Sequence, residues 1–67
     1  MRKWLKDIRE NLDLTQEKAA REAGISRPYY TRIENGDYQV PTRTAKKIAE
    51  ALGFDWARFY SSEKDSA

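Results

Sequence analysis

The stretch TQEKAAREAGISRPYYTRIENG, Thr15 to Gly36, decides what kind of fold this chain makes. Thr15 offers a hydroxyl that can accept from the first free N–H groups of a helix, and Ala19, Ala20 and Ala23 continue that helix over residues 16–23. Gly24 ends it, because a glycine just past a helix takes the left-handed conformation at little cost. Ile25 is an apolar residue in the turn, and Ser26 caps the next helix at once. Pro28 fits the first turn of that helix, where its missing N–H is not needed, and Asn35-Gly36 closes it.

Working outward, Leu5, Ile8 and Leu12 recur at helical spacing with Trp4 and Arg9 beside them, which predicts an amphipathic first helix over residues 3–12. After Gly36 the only long loop, GDYQVPT, leads to a fourth helix that starts at Thr42 or Thr44. It carries Ala45, Ile48, Ala49 and Leu52 and stops at Gly53. Asp55 caps a short fifth segment with Trp56, Phe59 and Tyr60 at helical spacing. Residues 61–67, SSEKDSA, are polar and are expected to form a disordered tail. There is no strand-like alternation and no internal repeat. The expectation is an all-α fold: one compact five-helix domain over residues 1–60.

Composition narrows the function. The chain has 67 residues, enough for one domain with a thin core. It has no cysteine and no histidine, which removes disulfides, thiolate nucleophiles, the usual zinc sites and the commonest general base. No cofactor, metal or small-molecule ligand is suggested, and so small a helical scaffold offers little concave volume for a substrate. An enzyme is not expected. The opening MRKWLKDIRE is charged too often for a signal peptide or a membrane span, so a cytoplasmic protein is expected. The net charge is only +2, so any polyanionic partner has to be argued from where the charges sit.

On a helix turning about 100° per residue, Tyr30 and Ile33 share one face with Ser26, and Glu34 lies at its edge. Pro28, Thr31, Arg32 and Asn35 point the other way, with Arg27 and Tyr29 on the flanks. Such a helix can lie in the major groove of DNA, where arginine donates two hydrogen bonds to guanine. Alone, the two arginines also fit a plain solvated surface. The preceding residues change this, because a capped helix, a turn through Gly24 and a second capped helix make the helix-turn-helix layout.

At this point the chain resembles the Cro/C1-type helix-turn-helix domains of phage repressors and xenobiotic-response-element regulators, a lambda-repressor-like fold. The resemblance rests on Arg9, TQEKAA (Thr15–Ala20), AGIS (Ala23–Ser26), RIENG (Arg32–Gly36) and IAEALG (Ile48–Gly53), in order over about residues 3–60. It implies base readout by Arg27, Pro28 and Arg32, with Tyr29 and Thr31 beside them at base or sugar-phosphate edges. It implies phosphate contacts from Gln16 and the caps Thr15 and Ser26, then from Asn35, Tyr38, Arg43 and Lys46. Arg9 and Glu34 match a partly buried salt bridge that is structural in the family. From Ser26 to Lys47 the basic residues Arg27, Arg32, Arg43, Lys46 and Lys47 outnumber the acidic Glu34 and Asp37, as phosphate contact needs.

Three departures stand out. Ala19 replaces a bulkier aliphatic residue and leaves space for Trp4 or Tyr30 to fill. Asp13 stands where glycine is usual in the turn after the first helix. Asp37 replaces a basic loop residue. The function implied is a sequence-specific, double-stranded-DNA-binding transcriptional regulator, expected to be a repressor acting as a homodimer at an inverted-repeat operator. Trp56, Phe59 and Tyr60 are its candidate dimer interface, with core closure as the competing use for that cluster. A different class remains open: a protein-interaction module of the antitoxin or anti-repressor kind.

Overall fold

The computed structural model describes residues 1–37 and 39–60, which form α1 (Lys3–Asn11), α2 (Gln16–Ala23), α3 (Arg27–Asn35) and α4 (Thr42–Leu52). A fifth helical turn follows at residues 58–60, where the N–H groups of Arg58, Phe59 and Tyr60 each donate to the carbonyl three residues back. The Asp55 carboxylate opens that segment by accepting from the Ala57 N–H at 3.0 Å. Among the described residues there is no strand, and the fold is all-α. Tyr38 and the expected disordered tail, residues 61–67, lie outside the described residues.

The punctuation expected around α2 and α3 is present. Thr15 Oγ1 accepts from the Lys18 N–H at 3.1 Å, and Ser26 Oγ accepts from the Tyr29 N–H at 3.3 Å. Gly24 closes α2 at φ 73°, and Asp13 takes φ 58° in the turn between α1 and α2. Aspartate visits that left-handed region more readily than most side chains, which explains its use in a glycine's place. The end of α1 differs from the expected boundary. Leu12 falls just beyond α1 and is exposed, so the buried stripe of that helix is shorter than its spacing suggests. α4 begins at Thr42, one of its two expected starts, with Pro41 before it and no side-chain cap.

The core gathers Leu5 from α1, three alanines from α2, Tyr30 and Ile33 from α3, and Ala45, Ile48 and Leu52 from α4. The small α2 face lets that helix sit close to both α3 and α4, while α1 meets α3. Trp4, one candidate to fill the space beside Ala19, instead packs edge-on against Phe54 and Phe59, with ring centroids 5.4 and 5.1 Å away. Tyr30, the other candidate, is fully buried.

Phe59 was expected either at a dimer interface or in the core; it is 1% exposed and closes the core. Only Trp56 and Tyr60 of that cluster keep surface, each 37% exposed, and the Tyr60 hydroxyl donates to the Val40 carbonyl at 2.7 Å. The segment after Gly53 is thus the lid of the core. Phe59→Ala should therefore lower unfolding free energy by about 3–5 kcal/mol, the usual cost of emptying a buried aromatic site. Urea denaturation would measure it, and Trp56→Ala should cost far less.

Candidate nucleic-acid interface

α3 divides along its length as its spacing predicts. Tyr30, Ile33 and Glu34 are buried, while Arg27, Pro28, Arg32 and Asn35 are exposed and Thr31 is half-buried at the edge. Arg27, Pro28, Thr31 and Arg32 line an open hollow together with Gln16, the first residue of α2. Five residues from two helices thus converge on one surface, four of them expected base contacts and one an expected phosphate contact. Tyr29, the remaining expected base contact, is half-buried at the seam with α4, its hydroxyl 3.3 Å from Thr44 Oγ1.

Among the described residues, the expected phosphate contacts lie on α2, α3 and α4 and at the caps of the first two. Thr15 and Ser26 spend one lone pair each on capping, which leaves their hydroxyl protons to donate to an anion. The starts of α2 and α3 also carry backbone N–H groups without intrahelical partners, which favours negative charge there. Asn35 is exposed in the last turn of α3, and Arg43 and Lys46 are exposed on α4. The Lys46 ammonium lies 5.1 Å over the Trp56 ring. A second open hollow, between the end of α2 and α4, is lined by Arg21, Glu22, Lys47 and Glu50. Its charges are mixed, and it shares no residue with the α3 surface.

Behind the surface lies a polar network. Arg9 Nε donates to Glu34 Oε2 at 2.9 Å, and its Nη2 donates to Oε1 at 3.1 Å. Nη1 reaches the Leu14 carbonyl at 2.7 Å, in the turn before α2. Glu34 Oε1 also accepts from Gln16 Nε2 at 3.0 Å, and the Thr31 hydroxyl donates to Gln16 Oε1 at 3.1 Å. The expected Arg9–Glu34 pair is formed and buried, and it extends to the surface through Gln16.

Residues 5–59 match the sequence profile of the helix-turn-helix family. The chain belongs to the Cro/C1-type helix-turn-helix family. It is therefore a relative of DNA-binding transcriptional regulators and not an enzyme. It is 47% identical over 75 aligned positions to an uncharacterized HTH-type transcriptional regulator, YqaF, of Bacillus subtilis, covering 100% of this chain and 99% of that protein. Control protein C.MunI of a Mycoplasma species is 38% identical across 85% of this chain and 78% of its own length. The ImmF control region 10 kDa protein of Bacillus phage phi105 is 39% identical across 76% of this chain and 57% of its own length. No solved structure matches the chain. Among the described residues, no helix is long and apolar enough to cross a membrane, and no group of acidic side chains could hold a metal ion.

One member of this helix-turn-helix domain escaped the sequence reading. Arg2 is buried, its N–H donates to the Glu34 carbonyl and its Nη1 to the Ile33 carbonyl, both at 2.7 Å. It thereby meets the Glu34 carbonyl near the end of α3 and adds a second donor to the Ile33 carbonyl, which also accepts from the Gly36 N–H. A lone arginine before the first helix carries no periodic signal that could have found it. The inward bonds of Gln16 were equally invisible, since an exposed glutamine at a helix start looks the same whether it faces solvent or a neighbour.

Burial alone would raise the Glu34 carboxyl, but hydrogen bonds from Arg9 and Gln16 outweigh it and hold the group below its usual value of 4.5. The Arg9 guanidinium is raised by the same hydrogen bond. Because the folded-state value is the lower one, this pair stabilises the fold above the unfolded pKa. The contribution drains away as pH falls from about 4.5 through the folded value. Glu34→Gln should cost about 3–5 kcal/mol in urea unfolding at neutral pH, because Arg9 stays buried without its counter-charge. The variant should also lose part of the wild type's acid sensitivity between neutral pH and pH values below that carboxylate range.

Proposed function

We propose that this chain is a sequence-specific transcriptional repressor that binds an inverted-repeat operator as a homodimer, with α3 in the major groove. The observation that carries the reading is the convergence of Arg27, Pro28, Thr31 and Arg32 with Gln16 on one open surface. Arg27 and Arg32 present planar donor forks suited to guanine edges, and Pro28 and Thr31 supply small apolar groups suited to a thymine methyl. Thr15, Gln16, Ser26, Asn35, Arg43 and Lys46 then meet phosphates on either side, with Tyr38 as a further phosphate contact. Tyr29, at the seam between α3 and α4, takes a sugar-phosphate edge beside them. No cofactor or small-molecule ligand takes part, and the cytoplasm is the proposed compartment.

Reach supports the proposed dimer. The domain measures 31 Å along its longest axis, whereas half-sites one helical turn apart are about 34–36 Å from centre to centre. One copy does not span that distance, which suits a pair of copies on the proposed half-sites. Trp56 and Tyr60, the aromatic residues left exposed beyond the core, form the proposed interface. Two relatives bear the names control protein and control region protein, which fits control of transcription here as well.

Selection from a random duplex library at two salt concentrations tests this. The expected product is an inverted repeat with half-sites a turn apart, bound less tightly at higher salt. Arg32→Ala should then weaken operator binding by about 1–3 kcal/mol and relax preference at one base pair, with the unfolding midpoint unchanged. Failure to enrich any sequence would favour a protein partner over an operator.

A further inference from the structure

We infer that Thr31 acts on DNA through Gln16: its hydroxyl and the Glu34 carboxylate lock the Gln16 amide in one orientation, with the remaining amide N–H as the donor offered to DNA. This rests on the proposed reading that the start of α2 faces a phosphate. It makes Thr31 a positioning residue within a surface where its place on α3 suggests direct base contact.

The argument is one of hydrogen-bond polarity. A glutamine amide has a donor end and an acceptor end, and a phosphate oxygen can accept only from the first. The ionised Glu34 carboxylate has only lone pairs to offer, so the atom 3.0 Å from its Oε1 must be the Gln16 nitrogen. Gln16 Oε1 can only accept, so the Thr31 hydroxyl 3.1 Å away must donate to it. Turning the amide over would set oxygen against carboxylate and forfeit the Glu34 bond, so Glu34 fixes the orientation and the Thr31 hydroxyl answers it as donor. Each end is thus held by a different partner, one on the buried side of α3 and one on its outward side. The nitrogen has two hydrogens, and Glu34 takes one. The second is free for an anion at the N-terminus of α2, where backbone N–H groups favour the same ligand.

The consequence for Thr31 is equally definite. Its only proton is spent on Gln16, so it has none to give a base or a phosphate while the amide is held. A side chain ordered before binding loses less freedom on binding, which is how such a clamp raises affinity. Because the clamp acts on a phosphate contact, its benefit is the same for every base sequence.

Fluorescence titration of the enriched operator duplex and of a scrambled duplex, for the wild type, Thr31→Val, Thr31→Ser, Gln16→Ala and the Thr31→Val/Gln16→Ala double variant, tests the clamp. Urea midpoints would be measured for each protein. Thr31→Val should weaken both duplexes alike, by roughly two- to tenfold, the worth of one neutral hydrogen bond. Thr31→Ser, which keeps the hydroxyl, should hold the scrambled duplex as the wild type does, and any loss from its missing methyl should fall on the operator alone. The double variant should bind no more weakly than Gln16→Ala alone, which a direct Thr31 contact would not produce. The inference is overturned if Thr31→Val changes preference at one base pair, or if its loss adds in full to that of Gln16→Ala. A silent Gln16→Ala would overturn it too, by removing the phosphate contact on which it rests. Arg32→Ala would still test the groove-facing helix independently.

Discussion

Almost everything in this small domain depends on one buried ion pair. The Arg9 guanidinium holds Glu34 with two bonds and the Leu14 carbonyl with a third, so one side chain joins α1, the turn before α2, and α3. Glu34 passes the constraint on to Gln16 at the start of α2. Replacing such a pair with apolar residues of equal volume is often neutral for stability, or better. An apolar replacement could not, however, tie an amide at the surface to the back of α3. The pair therefore does more than hold the helices together: it sets the relation between the two helices that carry the proposed contacts. Arg2 completes the hold by meeting the carbonyls of Ile33 and Glu34 at the same C-terminal end of α3.

The same economy runs through the surface. Thr15 and Ser26 stop the backbone from fraying by accepting one bond each, and this use leaves the hydroxyl proton unspent. A cap and an anion contact are compatible roles for one side chain. Charge follows a similar logic. The chain carries a net charge of only +2, yet Glu34 is turned inward and compensated by Arg9, while Arg27, Arg32, Arg43 and Lys46 remain at the surface. A chain of low net charge can thus keep these basic side chains exposed on α3 and α4.

The aromatic residues divide their work. Phe54 and Phe59 pack edge-on with Trp4 to finish a core that 67 residues could scarcely close otherwise. Trp56 lies outside, with Lys46 over its ring and Tyr60 edge-on at 6.0 Å. A phosphate-contact candidate and an interface candidate therefore touch, so whatever covers Trp56 also bears on the placing of Lys46.

Helix positions, caps and the inward face of α3 were legible in the sequence, because they follow from local rules. Thr15 and Ser26 cap what comes after them, Gly24 takes a conformation other residues resist, and Tyr30 and Ile33 fall on one side of any helix. The pairing of Arg9 with Glu34 and the outward set on α3 came from order, spacing and family resemblance. Tertiary structure alone decided which polar ends meet. Nothing local tells Gln16 to turn toward Glu34 and Thr31, Arg2 to close the end of α3, or Phe59 to go inside while Tyr60 stays at the surface. Local propensity governs the backbone torsions of neighbouring residues, whereas a hydrogen bond between residues far apart in the chain exists only once packing has brought its donor and acceptor together.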